Sequence, residues 1–203
     1  MLSPKHLGKI NRNTATAAVK GLVLVSAGLL FSLVAGIAPL HAQSVSGLAV
    51  QDRSHDNDDV DNQLYADYEI DNLGTGTTPT AVPLSTLTMR YWFTNNNTSD
   101  PPVFNCDYAL VTCANITSQF VTLTNTLPLA NMYLQIGFLP AAGSIQPGQN
   151  SGEIQTRIHD ENYSNFLTDD TYSFISDISF VYKNTTTVTL YLNGVLVWGV
   201  EPQ

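Results

Sequence analysis

The chain has few basic residues outside its first 20 positions. Four Lys and Arg residues precede the apolar segment that starts at residue 21, whereas all 17 acidic residues lie beyond residue 50. A surface this acidic repels the phosphate backbone of nucleic acids. The composition therefore predicts that nucleic acid is not a partner. Only four basic residues accompany the acids: Arg53, Arg90, Arg157 and Lys183.

Long hydrophobic runs are also scarce, because the sequence contains a single one at residues 21–40. Basic residues precede this run and small residues ending in Ala42 follow it, which is typical of a secretory signal peptide. A membrane anchor is the alternative, since the run is about long enough to span a bilayer. Gly28 and Pro39 favour cleavage near Ala42. We therefore interpret residues 1–42 as a signal peptide and expect a secreted, extracellular protein with no membrane partner after cleavage.

The rest of the chain divides into a short lead-in, residues 43–47, and one domain, residues 48–203, which is long enough to bury a sizeable core. It has only two cysteines, Cys106 and Cys113. Because an exported chain meets an oxidising compartment, the natural interpretation is a disulfide between them. Metal binding is the alternative, but two thiols without a nearby His make a poor metal site.

Helical periodicity is almost absent from this domain. Leu87 to Thr94 instead alternates apolar residues on one face with mostly polar residues on the other, as a half-buried strand does. Asn193-Gly194, which lies between two apolar segments, best tolerates the two positive φ angles of a type I′ hairpin turn. Short strands at this spacing predict an all-β sandwich of two sheets. Similar strand-like runs occur at 121–123, 133–138, 154–158, 172–175 and 188–192.

Several motifs from Leu48 to Pro202 together resemble family 3 carbohydrate-binding modules. They are, in order, LSTLTMRYWFT, CDYALVTCANIT, GFLPAAGSIQPG, IQTRIHDENYSNF and NGVLVWGVEP. The resemblance implies a jelly-roll β-sandwich of two antiparallel sheets. It also implies binding to cellulose through a flat strip of aromatic and polar side chains.

Position by position, the resemblance assigns the strip to the CDY, IQTR and NYSN motifs. A sugar ring stacks its apolar C–H face on an aromatic ring, while its hydroxyls need donors and acceptors at the edge. Arg suits the strip because its rigid fork pairs with a carboxylate. Where the family usually has Trp, this chain has Tyr163, so we expect a weaker stack. The implied strip residues are Asp107, Tyr108, Arg157 and Tyr163, and the implied polar anchors are Gln155, Asn62 and Asp56.

The resemblance also implies a calcium position formed by two loops. Asn96 and Thr171 stand where the family usually has Asp, and calcium prefers anionic oxygens. We therefore expect weak calcium binding there, and a solvated acidic loop is the alternative. No other cofactor is expected. The implied ligands are Thr94, Asn96, Leu167, Asp170 and Thr171.

We interpret the sequence as that of a non-catalytic cellulose-binding protein, with separately encoded cellulases as candidate partners. A cell-surface or matrix module that binds another polysaccharide or a protein is one alternative. A small polysaccharide-degrading enzyme is another, since glycoside hydrolysis needs two carboxylates about 5 to 10 Å apart and the chain has many acids. However, stretches such as Asp56 to Asp59 are strongly polar and are interpreted as solvated. His55 and His159 are isolated in the sequence and are interpreted as surface residues rather than copper ligands.

Overall fold

A computed structural model describes residues 46–54, 56–77 and 80–203 of the chain. The predicted signal peptide lies outside these residues, and so does His55. The described part contains fifteen β-strands and four single-turn 3₁₀ helices, with no α-helix. Within it, no helix has the length and apolar character needed to cross a membrane.

The strands are numbered in chain order. They are β1 (Leu48–Arg53), β2 (Val60–Asp61), β3 (Gln63–Asn72), β4 (Val82–Pro83), β5 (Leu87–Phe93), β6 (Pro102–Ala109), β7 (Ile116–Leu127), β8 (Ala130–Phe138), β9 (Ser144–Ile145), β10 (Gln149–Asn150), β11 (Ile154–Asp160), β12 (Phe166–Leu167), β13 (Lys183–Asn184), β14 (Thr189–Leu192) and β15 (Val195–Trp198). The 3₁₀ helices are Leu84–Thr86, Cys113–Asn115, Pro140–Ala142 and Thr168–Asp170.

Two antiparallel sheets form a sandwich, as predicted. The six-stranded sheet has the order β13-β1-β3-β11-β6, and β10 also pairs with β3. The five-stranded sheet has the order β15-β14-β5-β8-β7. Two short pairs, β2 with β12 and β4 with β9, complete the described strands.

One hydrophobic core joins the inner faces of the two sheets. Tyr68 of β3 meets Tyr91 of β5 edge-on, with ring centroids 6.5 Å apart. Phe93 of β5 meets Phe166 of β12 in the same way at 6.2 Å. The alternation predicted for β5 is confirmed, since Leu87, Met89, Tyr91 and Phe93 are all buried. Each fully buried side chain of this size contributes about 1.5–3 kcal/mol to folding.

The C-terminal hairpin also follows the prediction. Asn193 and Gly194 have φ angles of 51° and 80°, as a type I′ turn requires. Leu192 and Val195 are paired on either side of the turn. Trp198 at the end of β15 is buried in the core, and its Nε1 donates a hydrogen bond to the Thr185 carbonyl oxygen at 2.6 Å.

One predicted strand is wrong, and three of the longer strands, as well as the two-residue strands, were not predicted. Residues 172 and 173 form a turn and residues 174 and 175 belong to no strand; Phe174 N donates to the Thr171 carbonyl oxygen at 3.1 Å. Strands β1, β3 and β6 escaped prediction because acidic and amide side chains alternate with their apolar residues, which makes the segments look like loops. In β3 the inner positions 64, 66, 68 and 70 are nevertheless buried.

Cys106 of β6 and Cys113 of the following 3₁₀ helix lie side by side. Their Cα atoms are 5.7 Å apart, within the range that a disulfide requires. The pair joins the end of β6 to the turn that leads into β7.

Candidate functional site: the outer face of the six-stranded sheet

The face of the six-stranded sheet that points away from the core carries most of the predicted strip. Strand β11 alternates between the buried residues at 154, 156 and 158 and outward residues at 155, 157 and 159. Cross-strand pairing puts Tyr65 of β3 beside Arg157 and Gln63 beside His159. The outer face therefore presents ring-shaped and polar side chains from neighbouring strands.

A β-bulge in β6 brings two strip residues to this face. Thr156 pairs with Cys106 and Gln155 pairs with Tyr108, so Asp107 is an extra residue without a cross-strand partner. A bulge lets two successive residues of one strand face the same side. Asp107 and Tyr108 are accordingly both exposed, whereas Ala109 returns to the core. Tyr108 leaves 46 % of its surface open to solvent.

The centre of the face is a hydrogen-bonded cluster around Arg157. Its Nε donates to both carboxylate oxygens of Asp107, at 3.0 and 2.8 Å. Its Nη1 donates to Oε1 of Gln63 at 2.8 Å. The Asp107 carboxylate raises the pKa of Arg157, because it hydrogen-bonds and attracts the charged guanidinium. Arg157 is thereby held across β6, β11 and β3 in one orientation.

Tyr163 stands beside this cluster on a turn. Its ring stacks on that of His159, with centroids 4.2 Å apart and planes only 2° from parallel. One ring face is covered by His159, and 48 % of the residue is exposed. The interpretation of His159 as a surface residue is therefore wrong: it is buried beneath Tyr163, and its Nδ1 lies 2.7 Å from the Asp160 carbonyl oxygen.

Asp100 fixes the turn that carries Tyr163. One of its oxygens accepts hydrogen bonds from the backbone N and the side-chain Nδ2 of Asn162, and the other accepts from Ser164 Oγ at 2.6 Å. These donors, Ser164 first, lower the pKa of Asp100. Tyr163 itself has φ of 56°, a backbone conformation that costs free energy in a non-glycine residue. The carboxylate of Asp100 is what holds the turn in that conformation.

The predicted polar anchors fall into two groups. Gln155 lies on the outer face beside Tyr108, and the half-buried Asn62 directly precedes Gln63, which binds Arg157. Asp56 is different, because it is only 9 % exposed and lies in an isolated bridge with Asp177. Its burial does not favour the predicted contact between Asp56 and a polysaccharide.

Sequence analysis missed several residues of the same face. Arg53 of β1 pairs across the sheet with Asp67 of β3, which in turn pairs with Gln155. Arg53 Nη2 donates to Asp67 at 2.7 Å and also binds Glu153, and its guanidinium lies 4.8 Å from the centroid of the Tyr182 ring. The period-2 pattern of residues 63–72 is the signal that could have located this end of the face.

Four of the five residues implied as calcium ligands are joined by hydrogen bonds, and calcium binding there stays a prediction. Asn96 Oδ1 accepts from Leu167 N at 3.0 Å, and Asn96 Nδ2 points to Asp170 Oδ2 at 3.4 Å. The Leu167 carbonyl oxygen accepts from Thr171 Oγ1 at 3.4 Å. The Asn96 amide thus bridges the two loops, with its donor group directed at the one carboxylate of the set. Thr94 lies at the end of β5, next to this bridge.

The candidate face is open rather than enclosed. One surface cavity of the described residues lies at the end of the same sheet, around Asn72 and Gly148, and another lies around Asn95 and Met132. The fold and the face together define a β-sandwich module with an open sheet surface that carries exposed aromatic rings beside hydrogen-bonding side chains.

Comparison with known proteins identifies the family. Residues 49–199 match the family model described as a cellulose binding domain. The beta-mannanase/endoglucanase A of Caldicellulosiruptor saccharolyticus is 38 % identical over 122 residues, which are 60 % of this chain and 9 % of that enzyme. An uncharacterised protein of Paenibacillus lautus is 35 % identical over 153 residues, 75 % of this chain and 100 % of that protein.

A solved structure agrees with these sequence matches. The family 3b carbohydrate-binding module from the major scaffoldin subunit of Acetivibrio cellulolyticus has a TM-score of 0.71 and 30 % identity, covering 78 % of this chain and 99 % of that one. The chain belongs to the family 3 carbohydrate-binding modules, whose fold is a jelly-roll β-sandwich. It spans only 9 %, 16 % and 30 % of the length of three related enzymes.

Proposed function

We propose that this protein binds crystalline cellulose without cleaving it, through the outer face of its six-stranded sheet. The observation that carries the proposal is the Arg157–Asp107 pair, which lies between the exposed rings of Tyr108 and Tyr163. A cellulose surface presents sugar rings whose C–H faces stack on aromatic rings and whose hydroxyls need polar partners at the edge. The face supplies both kinds of contact side by side.

The fixed orientation of the side chains on this face favours binding to cellulose. Each stacking contact is worth only about 0.5–1.5 kcal/mol, so several must be presented together without a large loss of entropy on binding. Arg157 has partners on two neighbouring strands, and the Tyr163 ring rests on His159. These contacts order the side chains before the ligand arrives.

The carboxylates nearest to Arg157 and Tyr163, those of Asp107 and Asp160, are poorly suited to catalysis. Glycoside hydrolysis needs one carboxylic acid with a raised pKa that can reach the glycosidic oxygen. Asp107 is held by Arg157. Burial and the charge of Asp100 raise the pKa of Asp160 to about 6, but Asp160 is only 1 % exposed. We therefore propose a binding function without hydrolysis.

The cellular setting is part of the proposal. We propose that the chain is exported, that Cys106 and Cys113 are disulfide-bonded in the exported protein, and that it assists separately encoded cellulases. The name of one relative, the cellulosomal-scaffolding protein A of Acetivibrio thermocellus, supports this setting. In the wall or matrix alternative, the same face would bind another polysaccharide or a protein.

A pull-down on microcrystalline cellulose, with chitin and xylan in parallel, tests the proposal. We expect retention on cellulose, weaker retention on the other two polymers, and loss of retention in Tyr163→Ala. Phe180→Ala is the matched control, because Phe180 is an exposed aromatic residue (61 %) with nearly the same φ, 55°. Equal retention of the unmodified chain on all three polymers, or on none, would contradict cellulose recognition.

A further inference from the structure

Three aspartates near the start of the domain form a compact cluster outside the cellulose-binding face. They are Asp56, Asp58 and Asp61, and one carboxylate oxygen from each lies within 4.8 Å of the others. Calcium binds oxygens at about 2.3–2.6 Å, so two ligands on opposite sides of the ion stand about 4.6–5.2 Å apart. The three oxygens can therefore belong to one coordination sphere.

A second observation points to a bound cation. Asp56 is only 9 % exposed, and its Oδ2 is fully buried with no hydrogen-bond partner among the described residues. Its other oxygen accepts from Asp58 N at 2.9 Å. A buried carboxylate oxygen without a partner costs free energy. A cation held by the cluster would satisfy that oxygen.

The charges around the cluster support the same conclusion. The two basic residues on the neighbouring strands have other partners, since Arg53 binds Asp67 and Glu153 while Lys183 binds Asp177. The acids of the cluster thus repel one another, and a divalent ion would reverse that repulsion.

The backbone around the cluster is already fixed. Thr168 binds two backbone carbonyl groups of this loop. Its Oγ1 donates to the backbone carbonyl oxygen of Asp58, and its N donates to the backbone carbonyl oxygen of Asp59 at 3.1 Å. Strand β2 pairs with β12 immediately before Thr168. Asp61 Oδ1 accepts from Gln63 N at 3.1 Å. The three carboxylates therefore lie on a loop whose backbone is held by hydrogen bonds to neighbouring segments.

We propose that Asp56, Asp58 and Asp61 bind one calcium ion through their side-chain oxygens, with water completing the coordination. The position differs from the one that the family resemblance implies, where the Asn96 amide bridges the loops instead. The ion would tie the loop of residues 56–61 to the segment after β12 and to the bridge at Asp177. In this assignment Asp56 serves the metal and not the polysaccharide.

Calorimetry and thermal unfolding of the chelated full chain test the proposal. On titration with CaCl₂ we expect one equivalent to bind. At a free calcium concentration about 100 times Kd, the melting temperature should rise by about 5–10 °C, as mass action predicts for a chain of this size. Mg²⁺ should bind more weakly, because it prefers several waters to a cage of three carboxylates.

Matched variants locate the ion. Asp58 is exposed, so Asp58→Asn should fold normally and weaken calcium binding at least about tenfold. Asp169→Asn removes an exposed acid from the neighbouring 3₁₀ helix, and Asn96→Ala breaks the bridge at the family position. Both of these control variants should leave the affinity for calcium unchanged.

Three results would overturn the proposal. One is an absence of binding heat and of any thermal shift with millimolar calcium. Another is an unchanged affinity in Asp58→Asn. The third is a loss of binding in Asn96→Ala, which would place the ion at the family position. If Asp56 and Asp61 share a proton instead, calcium will have no effect and lowering the pH from 7 to 5 will stabilise the chain.

Discussion

Asp107 and Tyr163 show how single residues build the proposed binding face. Asp107 reaches the face because it is the extra residue of a bulge, and Tyr163 reaches it on a turn with positive φ that Asp100 holds. Both placements are locally unfavourable and are stabilised by hydrogen bonds. Strain of this kind is common where a side chain must be aimed at a ligand.

Replacing Tyr163 should separate binding from stability. Tyr163→Ala removes one stacking surface, so binding to crystalline cellulose should weaken by about 1 kcal/mol or more, as measured by a depletion isotherm. Tyr163→Trp should strengthen binding because its ring face is larger. The assignment would be wrong if Tyr163→Ala left the isotherm unchanged while Phe180→Ala altered it.

Arg157→Lys tests whether the geometry of the pair matters beyond its charge. Lysine keeps the positive charge but cannot contact Asp107 and Gln63 with the same rigid fork. We expect weaker cellulose binding and an almost unchanged free energy of unfolding, since exposed ion pairs contribute little to stability. Binding equal to that of the unmodified chain would show that charge alone is sufficient.

At the scale of elements, β11 and its following turn combine part of the proposed binding surface with a buried acid. Asp160 ends β11 and is the first residue of the turn that presents Tyr163, whose N donates to the Asp160 carbonyl oxygen at 2.8 Å. Its side chain lies near Asp100, and its Oδ2 has no hydrogen-bond partner in the described part of the chain. Burial of the ionised Asp160 carboxylate therefore lowers the free energy of unfolding by an amount that depends on pH.

Asp160→Asn should remove this contribution to the pH dependence of the unfolding free energy. An aspartate has a pKa of about 3.9 in an unfolded chain, and in the folded chain the pKa of Asp160 is raised to about 6. The folded state thus binds the proton more tightly, so this contribution to stability is complete below about pH 4 and is lost as pH rises through 6. Relative to the variant, the unmodified chain should lose about 1–2 kcal/mol between pH 4 and 7.

Urea unfolding at several pH values measures this difference. Glu161→Gln is the control, because it changes the exposed neighbouring acid. Parallel pH curves for Asp160→Asn and the unmodified chain would contradict the prediction.

The closing hairpin is the element on which stability should depend most clearly. Trp198→Ala leaves a cavity in the core and removes the hydrogen bond to Thr185, so it should cost about 3–5 kcal/mol of unfolding free energy. Val195→Ala, on the same strand but 66 % exposed, should change it by less than about 0.5 kcal/mol. Similar unfolding midpoints for the two variants would show that Trp198 is not a core residue.

At the scale of the whole molecule, the sandwich works as a rigid support. Two sheets share one core, which leaves the outer face of the six-stranded sheet free to carry the ligand contacts. The opposite outer face has its own cluster, in which Arg90 lies 4.2 Å from the ring centroid of Tyr191 and 4.5 Å from that of Tyr133. The residues of the proposed binding face and those of the core therefore lie on different sides of the same strands.

The purified chain should release no soluble sugar from cellulose. The Asp107 carboxylate beside the exposed tyrosines is paired with Arg157, and Asp160, whose pKa is raised to about 6, is buried. A reducing-sugar assay over long incubation measures this. Product formation that survives repurification and disappears in Asp107→Asn would contradict the prediction.

Local patterns in the sequence were sufficient for the fold class, the type I′ hairpin and the inward face of β5. These features depend on period-2 alternation and turn chemistry, which operate between residues close in sequence. The motifs also located Asp107, Tyr108, Arg157 and Tyr163, which lie on or beside one face of the structure. Their role in binding remains a prediction.

Only the tertiary structure decided how these residues meet. The bulge at Asp107, the Gln63 contact to Arg157 and the stack of Tyr163 on His159 depend on the register between strands that are far apart in sequence. The burial of Asp56 depends in the same way on its bridge to Asp177. A side chain's neighbours across a sheet are set by long-range hydrogen bonding and packing, and no local pattern of residues specifies them.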